Sequence, residues 1–104
     1  MTIQFNTDSN IAGGEKLRVP LIALISEELG RFSHQITRVE VHLLDENGPK
    51  EGQNDKRCLI EARLEGMKPI AVTNNAKTHE QAVEGTVEKL KTTLDTILGH
   101  LRNH

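Results

Sequence analysis

A single apolar stripe near the end of the chain limits the possible folds more than any other feature. Thr78-His79-Glu80-Gln81 opens a helix: the Thr78 hydroxyl can accept from the Gln81 backbone N–H while the Gln81 side chain reaches back, a capping box. Val83, Val87, Leu90, Leu94, Ile97 and Leu101 follow at steps of three and four, so they share one face. A helix with one apolar face must lie on something. The residues before it read as a small sheet.

Ile3 and Phe5 alternate with Gln4 and Asn6, a short first strand, and Asp8 to Gly14 breaks the pattern as a loop. Leu17, Leu21, Leu24, Ile25, Leu29 and Phe32 then mark one face of a first helix. Pro20 cannot donate to a carbonyl four residues back, so a late or distorted start is expected, with a stop near Gly30 to Ser33. Val39, Val41 and Leu43 form the inner side of a second strand. Cys58, Ile60, Ala62 and Leu64 do the same for a third, across a long polar connection from Asp45 to Asp55 expected to be mobile at its tip. After a turn at Glu65 to Lys68, Pro69 to Thr73 gives a fourth strand, and Asn74 to Lys77 leads into the second helix.

The predicted order is β-α-β-β-β-α, an α+β fold over residues 1–104 as one domain. A right-handed crossover makes the first two strands parallel neighbours, and hairpins make the rest antiparallel. Both helices then cover one face of a four-stranded mixed sheet. The other face is open and carries Arg38, Glu40, His42, Arg57, Leu59, Glu61 and Arg63.

Charge and composition narrow the function. Net charge is −2 and the sequence pI is about 6.2, so bulk electrostatics does not draw the chain to nucleic acid; a local basic patch would have to. Phe5 and Phe32 are the only aromatics, which excludes binding by a platform of stacked bases. No apolar run approaches a membrane span and no signal-peptide pattern opens the chain, so a cytoplasmic location without membrane contact is expected. Cys58, the one cysteine, allows no internal disulfide and falls on the inner face of a strand. His100 and His104 have metal-ligand spacing but no third ligand nearby, and His34 and His42 have no adjacent partner, so no metal or other cofactor is expected. No nucleophile, base and acid can be assembled from neighbouring positions, and the Gly13-Gly14 loop lacks the lysine and hydroxyl of a nucleotide loop. The expectation is a protein that is not an enzyme.

This order of elements, with Leu17-Arg18 … Leu29-Gly30-Arg31-Phe32 in the first helix and His79-Glu80-Gln81-Ala82-Val83-Glu84-Gly85 … Val87-Glu88-Lys89-Leu90 in the second, resembles the short forms of the ribosome hibernation-promoting factors. The related ribosome-associated inhibitors, sometimes called sigma-factor modulation proteins, belong to the same family. In that family the second helix usually begins with an aspartate and has a tyrosine two residues on. Here Thr78 and Glu80 stand in those places, while Ala82, Val83, Glu84 and Glu88-Lys89-Leu90 fit. The basic run common after that point is replaced by Lys91, Thr92, Thr93, Asp95 and Thr96.

The resemblance implies binding to the small ribosomal subunit and its RNA, in the channel of messenger and transfer RNA, as a stress response that blocks translation in resting cells. Arg18 and Arg31 on the first helix and Lys89, Lys91 and Arg102 on the second would then contact phosphates. Arg18 and Lys89 come first, because the motif is itself basic there. The plain alternative for each is a solvated face residue, or for Lys89 an acid one turn away. A second functional class is a protein-interaction or dimerisation module of the same fold without the RNA surface. The two are distinguished by whether the five cations share one face or are interrupted by Glu27, Glu28, Glu84 and Asp95. Val19 and Ile22 on the outer side of the first helix, with Leu44 and Leu59 on the open sheet face, would make a protein contact or homodimer if clustered.

Overall fold

The computed structural model describes residues 1–8, 11, 13–46 and 55–102, the last three by backbone alone. The order is β1 (Thr2–Thr7), α1 (Gly14–Glu28), a 3-10 turn at Gly30–Phe32, β2 (Ile36–Asp45), β3 (Lys56–Leu64), β4 (Ile70–Ala76) and α2 (His79–Arg102). The predicted mobile tip of the connection between β2 and β3, residues 47–54, lies outside the described residues, as does the side-chain pair of His100 and His104.

The sheet runs β1-β2-β3-β4, with β1 parallel to β2 and the other pairs antiparallel, as the crossover argument requires. Alternation decides which side chains go inward: Val39, Val41 and Leu43 of β2 and Cys58, Ile60 and Ala62 of β3 are fully buried. A register slip between Ile36 and Arg38 lets Ile36 and Val39, three residues apart, both face the core. Leu21 and Ile25 of α1 meet Val83, Val87, Leu90 and Leu94 of α2 in the same cluster, so both helices cover one face of the sheet. Beyond Leu94 the buried face continues through Leu98, packed against the core.

Two boundaries differ from the sequence reading. Helix α1 starts at Gly14, six residues before Pro20, and so earlier than the late start expected. Gly13 and Gly14 have φ of 116° and 47°, a backbone turn open to glycine, and Gly13 accepts from Lys16 N–H in place of a side-chain cap. Pro20 and Lys16 are both exposed, so water can reach the Lys16 carbonyl that Pro20 cannot serve. Strand β4 runs on through Asn74, Asn75 and Ala76, because β3 offers Cys58, Arg57 and Lys56 as ladder partners. Tertiary pairing overrides the turn preference of two asparagines.

At the other helix start, the Gln81 N–H donates to Thr78 Oγ1 at 3.0 Å, as the capping box requires. The four apolar residues proposed as a contact patch do not gather. Val19 is exposed and Ile22 packs against the core, while Leu44 and Leu59 are diagonal neighbours on the open sheet face.

Candidate functional site

The four cations described among the five candidates fall in three places. Arg18 pairs with Glu15 one turn back at 3.4 Å, and both side chains are at least half exposed. Lys89 turns toward the edge strand and donates to the Thr73 carbonyl at 2.8 Å. Arg31 and Lys91 lie together where the end of α1 meets α2. Arg31 makes two 2.8 Å bonds to Asp95, lies over the Phe32 ring at 4.3 Å, and has its pKa raised chiefly by the bond to Asp95. Lys91 donates to Glu28 at 2.9 Å and Glu88 at 3.3 Å, and its pKa is raised by those bonds, Glu28 first. Arg102 ends α2, with its side chain outside the described part.

The Arg31–Asp95 and Lys91–Glu28 pairs form a seam that ties the helices together with alternating charge. Before the seam lie the first turns of α1 and the start of α2. A groove of about 540 Å³ opens there, lined by Leu17, Pro20, Leu21, Leu24 and Ala23 with Lys16, Glu27 and Glu80 at its rim. A smaller cleft of about 240 Å³ continues from Leu24 along Val87, bordered by Glu28, Glu84 and Glu88. The face between the helices is therefore apolar at its floor and acidic at its edge.

The open sheet face is also mixed in charge. Arg38 bonds to Gln4 and pairs with Glu40 at 3.2 Å, Arg63 pairs with Glu61 at 3.2 Å, and Arg57 sits 3.8 Å from Glu46.

A second polar centre went unread in the sequence. The Lys56 ammonium bridges Asp45 at 3.1 Å and Asp55 at 3.2 Å, both nearly buried, and Asp8 accepts from the Asp45 N–H at 3.1 Å. The bond to Asp45 is the main cause that raises the Lys56 pKa. These contacts knot the ends of β1, β2 and β3. The available signal was register: Asp45 continues the inward series 39, 41, 43 instead of starting a loop.

His79, the first residue of α2, stands beside this knot. Its Nδ1 is buried without a bonded partner among the described residues, and burial, then the Lys56 charge, lowers its pKa from 6.5. Acid should therefore destabilise the fold. Above pH 6.5 the ring is neutral in both states. As pH falls below 6.5 the unfolded chain takes up the proton first, so this stability is lost as pH falls toward the lower folded value. Thermal melts between about pH 7.5 and about pH 5 should show the decline, and His79→Gln should flatten part of it. An unchanged slope in that variant would assign the acid sensitivity elsewhere.

Cys58 is fully buried, and burial pushes its thiol up to about 11 while a Thr86 hydrogen bond partly opposes it; it is part of the core. Among the described residues no three His, Cys, Asp or Glu side chains form a metal-binding group, and no helix is long and apolar enough to cross a membrane.

No protein-family model matches the chain, and no curated relative does. Solved structures do. A ribosomal subunit interface protein from Coxiella burnetii superposes with a TM-score of 0.72 at 16% identity, over 95% of this chain and 99% of that one. The N-terminal domain of Thermus thermophilus Protein Y gives 0.71 at 18% identity, over 93% and 99%. The chain has their fold. The β-α-β-β-β-α fold expected from the sequence and this likeness of structure agree.

Proposed function

We propose that the chain associates with the ribosome as a non-catalytic inhibitor of translation, a hibernation factor of the short form. The observation that carries this is the end-to-end match of fold with a ribosomal subunit interface protein, supported by the helix motifs. Its site would be the small subunit and its RNA, in the cytoplasm, with Arg18, Arg31, Lys89, Lys91 and Arg102 on phosphates and no metal or cofactor required. The residues differ in what a phosphate must displace. Arg18 holds an exposed acid weakly and Lys89 a backbone carbonyl, so these two are the readiest to engage RNA. Arg31 would have to give up two bonds to Asp95, and Lys91 its two acids.

Co-sedimentation with small ribosomal subunits across a salt series tests the reading. Binding should fall steeply as salt rises, and Arg18→Ala and Lys89→Ala should each weaken it and reduce the slope of log affinity on log salt by about 1. Absence of binding at low salt would sink the proposal. It would favour the second reading, a protein-interaction module of this fold without the RNA surface. That reading draws on the acids that already hold Arg31 and Lys91.

A further inference from the structure

We propose that the groove between α1 and α2 docks a basic, amphipathic helical segment of a partner protein. The inference concerns a different surface from the phosphate contacts and does not depend on them.

The floor is what an apolar helix face requires. Leu17 and Leu24 are half-buried, Leu21 is buried, and exposed Pro20 completes the row. From Lys16 to Glu28, α1 offers roughly 18 Å of edge at 1.5 Å per residue, about three turns of a docked helix. The Lys91–Glu28 and Arg31–Asp95 pairs close the far end, so a ligand helix enters from the end where Glu80 lies.

The rim says what charge that helix carries. Glu27, Glu80 and Glu84 are exposed and have no bonded partner among the described residues. These three carboxylates stand beside an apolar floor, where an approaching Lys or Arg is less screened than in open water. Lys16 is the one cation among the lining residues. Phosphate is repelled by this rim, and the lining offers no aromatic ring for a base to stack on. A second copy is disfavoured for the same reason. In a two-fold contact the groove would meet itself, setting Glu27, Glu80 and Glu84 against their own equivalents. What remains complementary is a helix with Leu or Ile at i, i+3 and i+4 and Lys or Arg beside them, laid into the groove.

The test titrates the labelled full chain, by amide NMR, with a synthetic Leu–Lys amphipathic peptide of about 15 residues, long enough to fold against the groove. Matched peptides carry Ser for Leu, or Glu for Lys. Amides of residues 17, 21, 24, 80 and 84 should move with the Leu–Lys peptide alone. Glu80→Lys with Glu84→Lys should weaken its binding about tenfold, since two attractions become repulsions. Glu27→Lys repeats the test from the other helix and should also weaken binding. Each variant is checked for unchanged amide positions on the open sheet face. Equal binding of the Ser peptide, shifts centred on the open sheet, or undiminished affinity in the charge reversals would overturn the proposal. Groove shifts that grow with protein concentration alone would assign the site to a second copy, and shifts caused by oligouridine would assign it to RNA.

Discussion

Ile25→Ala is expected to cost about 2–5 kcal/mol, a large share of the roughly 5–15 kcal/mol that holds a small domain folded. The side chain is fully buried, and α1 has few such anchors: Leu21 and Ile25 within the helix, then Leu29 and Phe32 just after it. By contrast α2 buries Ala82, Val83, Thr86, Val87, Leu90 and Leu94. Pro20 removes one backbone bond from the middle of α1, so helix propensity cannot make up the loss. The melting temperature should drop by about 10 °C or more. Amides of α1 should lose exchange protection before those of α2 do. Val19→Ala, at a position 57% exposed, should stay within about 0.5 kcal/mol of the parent. Equal stability of the two variants would mean that α1 is not docked through Ile25.

What could be read from the sequence divides along the range of the interactions involved. The α2 cap needs residues three apart, Thr78 and Gln81, and the capping signal found it. The inner faces of β2 and β3 need only alternation. Where a contact from elsewhere decides, local signals mislead: Asn74 and Asn75 look like a turn and become strand because β3 pairs with them. The candidate site shows the same limit more sharply. Arg31 finds Asp95 and Lys91 finds Glu28 at separations of 64 and 63 residues. The sequence named Glu28 and Asp95 as acids that could interrupt a basic face, but their particular cation partners follow only from placing the end of α1 beside α2. Asp45 is legible as an inward residue by register alone, but an acid after an apolar strand reads as the first residue of a loop.

The seam and the groove are consequences of one packing arrangement. Arg31 reaches Asp95 and Glu28 reaches Lys91, so advancing along α1 also advances along α2. The helices run in roughly the same direction and, among the described residues, are tied by charge only at the later end. At the earlier end Leu17 to Leu24 have a groove beside them. Mixed charge at the seam lowers the pull on phosphate where the sequence offers Arg31 and Lys91, and the acidic rim reverses it at the groove. The RNA contact proposed above would therefore fall chiefly to Arg18 and Lys89 among the described candidates, which is why those two substitutions discriminate best.

Gly85→Ala should destabilise the protein by about 1–3 kcal/mol, even though alanine is favoured over glycine in a helix by about 1 kcal/mol. A Cβ at position 85 would lie 2.8 Å from Cγ of Asn74, with the amide nitrogen of that side chain closer still. Asn74 is half-buried on β4, opposite Cys58 in the ladder. Its Cγ is one bond from its own Cβ, so relief requires rotation about χ1 or a shift of α2 away from the sheet. Both disturb a packed layer that includes Thr86, which is fully buried and bonds to the Cys58 carbonyl at 3.2 Å. If the close approach is the cause, Asn74→Ala should restore much of the lost stability in the Gly85→Ala background. The two substitutions would then couple rather than add, because they share one contact. Denaturant melts of the four combinations measure that coupling. A Gly85→Ala protein as stable as its parent would show that Asn74 yields freely and that α2 can move on β4 without cost.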